Sequence, residues 1–325
     1  MKHQRWFLNM TAYCCFMIDL GALRSLIAVR DHGSIVAAAA ALDFTPSAVS
    51  QQIKKLERQS RSPMLERVGR SVILTERGRL LAERGSLLLA DLEQVENLAV
   101  GGAEELRGTF RIASFSTASR GIVAPLLARL RATAPELDVT VLEVDPREAV
   151  TLVERGGTDL SIVHDWSTMP LEVPATLEQH EIHVDRADVL LPWDHPLSLR
   201  DSLTPMDLVD ERWVTTPAGT ICHDWLVHMF AMHGVRPDMR YFDGSYSTHA
   251  AMVEHGVAIA LVPRLGREAL SPRVRAVPVV DPTPTRRVSS VWRAASRENP
   301  ARLHVHRELD DLFPQVSQDL GTTRS

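Results

Sequence analysis

Residues 31–57 read DHGSIVAAAAALDFTPSAVSQQIKKLE, and this stretch decides the fold of the N-terminal region. Ser34 suits an N-cap, and Ile35 to Leu42 form a short helix whose alanines let another helix cross closely. Asp43-Phe44 turns the chain. Thr45 is a second N-cap with Pro46 at the first helical position, where its missing N–H and fixed φ are harmless. In the helix that follows, Val49, Ile53 and Leu56 recur at i, i+4 and i+7 and bury one face. The opposite face carries Ser47, Ser50 and Gln51 near its start and Lys54, Lys55 and Arg58 further along. A helix, a tight turn and a second helix with hydrogen-bonding groups at its N-terminal end suit the major groove. The end residues reach base edges while the cations meet phosphates. The plainer reading is a generic three-helix bundle with a hairpin.

Upstream, Ile18, Leu20, Leu23, Leu26 and Ile27 repeat at three- and four-residue spacing over 18–29, which predicts an amphipathic helix stopping at Asp31-His32-Gly33. Downstream, SPMLERVGRSVILTERG over 62–78 gives two short extended segments around a Gly69-Arg70 tip. Such a wing suits a minor-groove or phosphate contact through its basic residues. Charge is distributed accordingly. Residues 45–75 hold six Lys or Arg against two Glu, a balance of +4, whereas residues 108–325 hold 22 basic and 29 acidic side chains, a balance of −7. A local basic patch on an acidic chain points to a localised polyanion contact, because cations bind phosphate by releasing counterions.

Residues 17–75 resemble the N-terminal winged helix-turn-helix of LysR-type transcriptional regulators. The family pattern T/S-x-[PS]-A-[VL]-S-x-x-I-x-x-LE meets Thr45-Pro46-Ser47-Ala48-Val49-Ser50-Gln51-Gln52-Ile53 here. Its P-L-F-x-R segment meets Pro63-Met64-Leu65-Glu66-Arg67, and its L-T-x-x-G segment meets Leu74-Thr75-Glu76-Arg77-Gly78. The departures are Met64-Leu65 for Leu-Phe, and Gln59-Ser60-Arg61-Ser62 where a Leu-Gly-Val type turn is common. The expectation is that Thr45, Pro46, Ser47, Ser50 and Gln51 read bases while Lys54, Lys55, Arg58, Arg67 and Arg70 anchor the backbone of double-stranded DNA.

Thr75 caps a long helix predicted to reach about Glu105. Leu81, Leu88 and Val95 stand seven apart with Gly85, Leu92 and Ala99 between them, a seam that predicts a homodimer. The alternative packs this helix along its own C-terminal domain. From Thr109 the pattern alternates: strands at 109–114, 137–144 and 159–163, helices at 121–133 and 146–154, hence a parallel sheet flanked by helices. A second unit from about 185 to 282 has strands at 188–191, 212–216 and 258–262, followed by a strand at 287–295 and a helix at 301–313. This order, with phrases such as Gly108-Thr109-Phe110-Arg111-Ile112 and Gly256-Val257-Ala258-Ile259-Ala260-Leu261-Val262-Pro263, resembles the effector-binding domain of the same family.

The fold expected is therefore α/β: an N-terminal winged helix-turn-helix (17–75), a linker and dimerisation helix (76–105), then a two-lobed periplasmic-binding-protein-like effector domain (108–313). Lobe I is expected at about 108–184 and 283–313, and lobe II at about 185–282. Residues 1–16 read as a disordered extension and 314–325 as a tail. Ligands of open α/β sheets lie beyond the carboxyl ends of strands, and anions favour helix N-termini. Ser116, Thr117 and Ser119 follow the first strand and are placed before the helix from Gly121, and the resemblance supports Ser116 and Thr117. His164, Thr216, Tyr246 and Ser247 are expected on facing sides of the cleft, although for each a cap or loop role is equally open.

Three cysteines, two of them the neighbours Cys14 and Cys15, suggest neither a disulfide framework nor a thiolate zinc site and fit a reducing cytoplasm. The longest apolar run, Ile35 to Leu42, falls short of the ~18 residues a membrane span needs. Lys2 and Arg5 before an apolar stretch imitate a signal peptide only faintly. Thirteen histidines raise a metal site, but His180, His183, His304 and His306 lack cysteine or fixed-spacing carboxylate companions. The G-x-S-x-G, Walker and G-x-G-x-x-G motifs are absent, so no enzyme, cofactor or metal is expected. A receptor acting by protein contact, or an α/β enzyme with an unrecognised site, are the competing classes. The resemblance implies a small-molecule effector, a homodimer or homotetramer, and RNA polymerase as a partner, with no membrane association.

Overall fold

A computed structural model describes residues 18–68, 71–99 and 106–314. The expected extension at 1–16, the wing tip Gly69-Arg70, the end of the linker helix beyond 99 and most of the tail lie outside the described residues. The chain divides into two units, 1–102 and 103–325.

In the first unit, side-chain caps start three helices. Asp19 accepts from the Ala22 N–H at 2.9 Å to open α1 (Leu20–His32), which ends on Gly33 with φ +70°. Ser34 accepts from Ala37 to open α2 (Ile35–Ala41), and Thr45 from Ala48 to open α3 (Pro46–Ser60). Each cap supplies an acceptor to an otherwise orphan N–H, typically worth about 1 kcal/mol. Val49, Ile53 and Leu56 face inward with Ala22, Leu26, Val29, Ala38 and Ala39. Strands β1 (Leu65–Val68) and β2 (Ser71–Leu74) pair antiparallel, Leu65 opposite Leu74. The departure from the family pattern has a packing role: Met64 is fully buried in this core, and its N–H donates to the Glu57 carboxylate on α3 at 2.9 Å.

The Thr75 hydroxyl accepts from the Gly78 N–H at the start of α4 (Glu76–Ala99). The expected seam is divided. Ala82 is buried in the unit's own core, Leu81 packs against it, and Gly85 lies over Leu23 of α1. This half of the helix is thus buried within the first unit, which leaves only the later part of the predicted seam for a second copy. Leu88 and Val95 keep 52% and 59% of their surface exposed.

The second unit is built on one seven-stranded sheet. Its elements are β3 (Gly108–Ser114), β4 (Leu137–Glu143), β5 (Leu160–Trp166), β6 (Leu177–Pro192), β9 (Ala260–Pro263), β10 (Val274–Pro278) and β11 (Thr285–Arg293), in the order β10-β6-β11-β5-β3-β4 with β9 also on β6. A separate parallel pair joins β7 (Arg212–Thr215) to β8 (Asp238–Phe242). The expectation of a parallel sheet, made for the strands near 109–114, 137–144 and 159–163, holds for β3, β4 and β5, whereas β6 runs antiparallel to β11, β10 and β9, and β11 antiparallel to β5. The cause is the 16-residue length of β6. Its first part pairs with β11 in lobe I, and its last residues pair with β9 and β10 in lobe II, so the first crossing between lobes is a continuous strand. Each lobe has apolar clusters on both faces of its sheet: around Ile112, Leu126 and Val305 or Val150 and Val153 in lobe I, and around Trp213 and Trp225 or Val253 and Val262 in lobe II.

Helices α5 (Ser116–Ala118), a π-helical turn (Ser119–Val123) and α6 (Ala124–Thr133) form one stretch that begins five residues before the expected start at Gly121. Helix α7 (Pro146–Glu154) follows β4, α8 (Ile221–Ala231) follows β7, α9 (Tyr246–Glu254) follows β8, and α10 (Pro300–Leu312) packs on lobe I. No helix among the described residues is long and apolar enough to cross a membrane.

Two glycines of α4 test the packing of the first unit. A Cβ on Gly78 would stand 2.2 Å from the Met64 carbonyl oxygen, a backbone atom, whereas one on Gly85 would stand 2.5 Å from Cδ1 of the buried Leu23 side chain. Gly78→Ala is expected to destabilise the unit by about 1–3 kcal/mol through overpacking. Gly85→Ala is expected near neutrality, since about 1 kcal/mol of helix propensity offsets the crowding. Calorimetry of the full chain distinguishes the two.

Candidate functional sites

On α3 the N-terminal turn is presented outward: Thr45, Pro46, Ser47 and Gln51 are exposed and Ser50 is half-buried, its hydroxyl donating to the Pro46 carbonyl at 2.9 Å. Lys54, Lys55 and Arg58 continue the outer face, and Arg67 is exposed on β1. The Lys55 ammonium is engaged by the carboxylate of Asp19, the cap of α1, and this pair holds the Asp19 carboxyl below its usual range. Arg70 lies outside the described residues.

In the second unit the effector candidates separate into distinct environments. Thr117 is buried within the first helical turn after β3, not in a loop before the helix, because the helix starts earlier than expected. Its hydroxyl accepts at 2.7 Å from Nη2 of Arg286. Ser116 accepts from Arg120, and Arg120 also donates to the Gly266 carbonyl in lobe II. His164 lies inside β5, not just past it, since that strand runs three residues further than expected, to Trp166. It is 1% exposed, stands edge-on to Phe115 at 4.6 Å, and its Nε2 lies 3.7 Å from the Cys222 sulfur. Tyr246 begins α9, so Tyr246 and Ser247 lie in its first turn.

Thr216, Tyr246 and Cys222 line a cavity of about 10 Å³ with Trp166, Thr215, Leu226, His249, Leu261 and Pro263. Thr216 shares a 2.7 Å hydrogen bond with Thr220. Ser247 points elsewhere, bonding Glu268 at 2.7 Å, and lines a separate cavity of about 320 Å³ with Thr117, Arg120, Tyr246 and Arg267.

The residue at the centre of the cluster is one that sequence reasoning does not nominate. Arg286 is fully buried; its Nε donates to Asp185 at 2.9 Å, and its guanidinium lies 5.1 Å from the Phe115 ring and 5.9 Å from that of Trp166. Asp185 and Arg286 are opposite partners in the β6–β11 ladder, where the chain passes between lobes. Cys222 gives no signal in the sequence because it lacks a cysteine companion, and burial pushes its thiol up in pKa. Arg286 carries no readable signal either, because β6 and β11 hold several other charged residues, among them Glu178, Glu181, Arg287 and Arg293.

His164, His249 and His306 are all held below the usual histidine range, each chiefly by burial. The Arg286 charge adds to this at His164, and Arg302 and His180 lower His306 further, to about 4. The folded state therefore favours the neutral rings, and the unfolded chain binds protons first on acidification. Their stabilisation is complete above about pH 6.5 and is lost as pH falls from there toward 4. The melting temperature of the second unit is expected to drop between pH 7 and pH 5, and His306→Gln to flatten that drop in scanning calorimetry.

Comparison with known proteins places both units. The model of the LysR substrate binding domain matches residues 103–313, and that of the bacterial regulatory helix-turn-helix protein, lysR family, matches 20–79. The small neutral protease regulatory protein of Streptomyces coelicolor is 32% identical over 251 residues, covering 73% of this chain and 75% of that protein. The HTH-type transcriptional regulator CysL of Bacillus subtilis is 26% identical over 243 residues, covering 74% and 79%. Among solved structures, a full-length OxyR variant from Pseudomonas aeruginosa superposes with a TM-score of 0.72 at 20% identity, covering 91% of this chain and 98% of that one. Full-length CbnR in complex with its target DNA superposes at 0.61 with 18% identity, covering 91% and 99%. An exposed, capped helix with cations on its outer face and a two-lobed α/β domain thus coincide with both matched models, and the chain belongs to the LysR family of transcriptional regulators, DNA-binding proteins with an effector-binding domain and not enzymes.

Proposed function

We propose that α3 enters the major groove of a promoter and that Thr45, Pro46, Ser47, Ser50 and Gln51 meet base edges. Lys54, Lys55, Arg58, Arg67 and Arg70 would hold the phosphates. The observation that carries this reading is the division of α3: Val49, Ile53 and Leu56 are fully committed to the core, which leaves Gln51, Lys54 and Arg58 on the outer face. Lys55 differs from the other cations, because reaching a phosphate competes with its ion pair to Asp19. That a protein of this fold, CbnR, was solved in complex with its target DNA supports DNA binding by this chain.

The effector cleft is proposed between the lobes at Ser116, Thr117, His164, Thr216, Tyr246 and Ser247, supported by the convergence of four of them about Arg286 and Cys222. A ligand there shifts the balance of lobe arrangements only by its differential affinity for them. Exposed Leu88 and Val95 on α4 support pairing of two copies, as a dimer or as a tetramer of two dimers, which sets two recognition helices on one duplex. Promoter work of this kind implies a cytoplasmic protein that contacts RNA polymerase.

Three experiments test the reading. Ser50→Ala with Gln51→Ala should erase preference for the cognate site while leaving weak, salt-sensitive binding. Lys54→Ala with Arg58→Ala should weaken all sequences alike and reduce the slope of log K against log salt by roughly 2, about 0.9 for each phosphate no longer neutralised. Undiminished selectivity in the first, measured by fluorescence anisotropy against a scrambled duplex, would refute the base readers. Leu88→Glu with Val95→Glu should shift the chain to monomer in analytical ultracentrifugation; an unchanged oligomer would remove α4 from the interface.

A further inference from the structure

The cleft side of the lobes is closed by a contact that the function so far described does not use. Asp145 is the N-cap of α7 in lobe I, and its Oδ1 accepts from the Arg147 N–H at 3.0 Å. Its second oxygen, Oδ2, accepts at 3.0 Å from the N–H of Ile221, the first residue of α8 in lobe II. One carboxylate therefore caps two helices belonging to different lobes, and it sits where each helix presents partial positive charge. Arg147 adds a second arm: its Nη1 donates to the Gly219 carbonyl at 3.0 Å and to Asp224 Oδ2 at 2.7 Å. Both Arg147 and Asp224 are more than a third exposed, so that ion pair is worth little alone. Asp145 provides the directional part of the contact.

Immediately behind Ile221 is Cys222, on the wall of the roughly 10 Å³ cavity formed with Trp166, Thr216 and Tyr246. That space holds about one water molecule. Any larger occupant needs the lobes to separate here, and separation strips α8 of the acceptor on its first N–H.

We propose that Asp145 is the gate of the effector chamber: its shared carboxylate holds the lobes shut, and release of the Ile221 N–H admits the ligand. The assignment rests on the reading of this cleft as the effector site, but the gate is measured without any ligand. It also gives α8 a role in signalling, since the lobe II helix is freed or held by a single acceptor from lobe I.

The test separates the two arms of the carboxylate. Asp145→Ser keeps a short oxygen able to cap α7 yet too short to reach Ile221, and Asp145→Asn keeps the shape but turns an amide N–H toward one of the two helices. In the full chain, alkylation of Cys222 by iodoacetamide, read on its own peptide by mass spectrometry, reports opening of the chamber. Hydrogen exchange reports the amides at 221–224. For Asp145→Ser the expected result is a roughly tenfold faster alkylation of Cys222 and faster exchange confined to 221–224, the scale of losing one charge-assisted hydrogen bond. Exchange over α7 should stay at the wild-type rate, and Asp145→Asn should fall between. Unchanged alkylation in both variants would overturn the gate and leave Asp145 a cap of α7 alone. Acceleration spread over the whole second unit would overturn it as well, by showing general loosening. Loss of the effector-site reading would register differently, as ligand binding indifferent to Thr117→Val in a protein whose gate still responds to Asp145→Ser.

Discussion

A guanidinium with no contact to solvent organises the second unit. Arg286 stands opposite Asp185 where β6 and β11 carry the chain between lobes, and it donates to both Asp185 and Thr117. Removing one partner of such a buried pair leaves an uncompensated charge, at a cost on the order of 3–5 kcal/mol. The strands on either side of the pair are therefore constrained to keep register where the chain passes between lobes. Asp185 also accepts from the Leu265 N–H, which extends the constraint to the loop after β9.

That loop closes one side of the junction by shape. Gly266 has φ +63°, and a Cβ there would stand 2.2 Å from the Thr117 carbonyl oxygen, so only glycine allows lobe II to approach lobe I so closely at this point. The adjacent Arg120 donates to the Gly266 carbonyl from a π-helical turn, an irregularity that is frequent at functional sites. The other side is closed by the Asp145 carboxylate on α8. The lobes are thus held by a charged hinge with a polar contact on each flank.

The first unit follows a different logic. Its caps, its turn and its one-sided apolar face all arise from residues within a few positions of each other, and its core is completed by Met64 and Ala82 from the segments just downstream. The outer face of α3 is left to charge because the inner face is fully used.

The caps at Ser34, Thr45 and Thr75, the buried spacing of Val49, Ile53 and Leu56, the wing hairpin and the alternation of strands and helices were legible in the sequence. Each depends on interactions at short separation, where spacing and geometry are nearly equivalent. The β6–β11 crossing, the antiparallel pairs that it imposes, the position of His164 inside a strand and the burial of Arg286 were not legible, since they join residues far apart along the chain. The same holds for α4, whose heptad spacing is real but whose first turns are taken by Leu23 and Met64 of its own unit. Local chemistry thus determined which helices form and which face of α3 carries charge. Only the tertiary structure decided which polar groups meet at the hinge, because burial and long-range pairing assign partners that no spacing along the chain encodes.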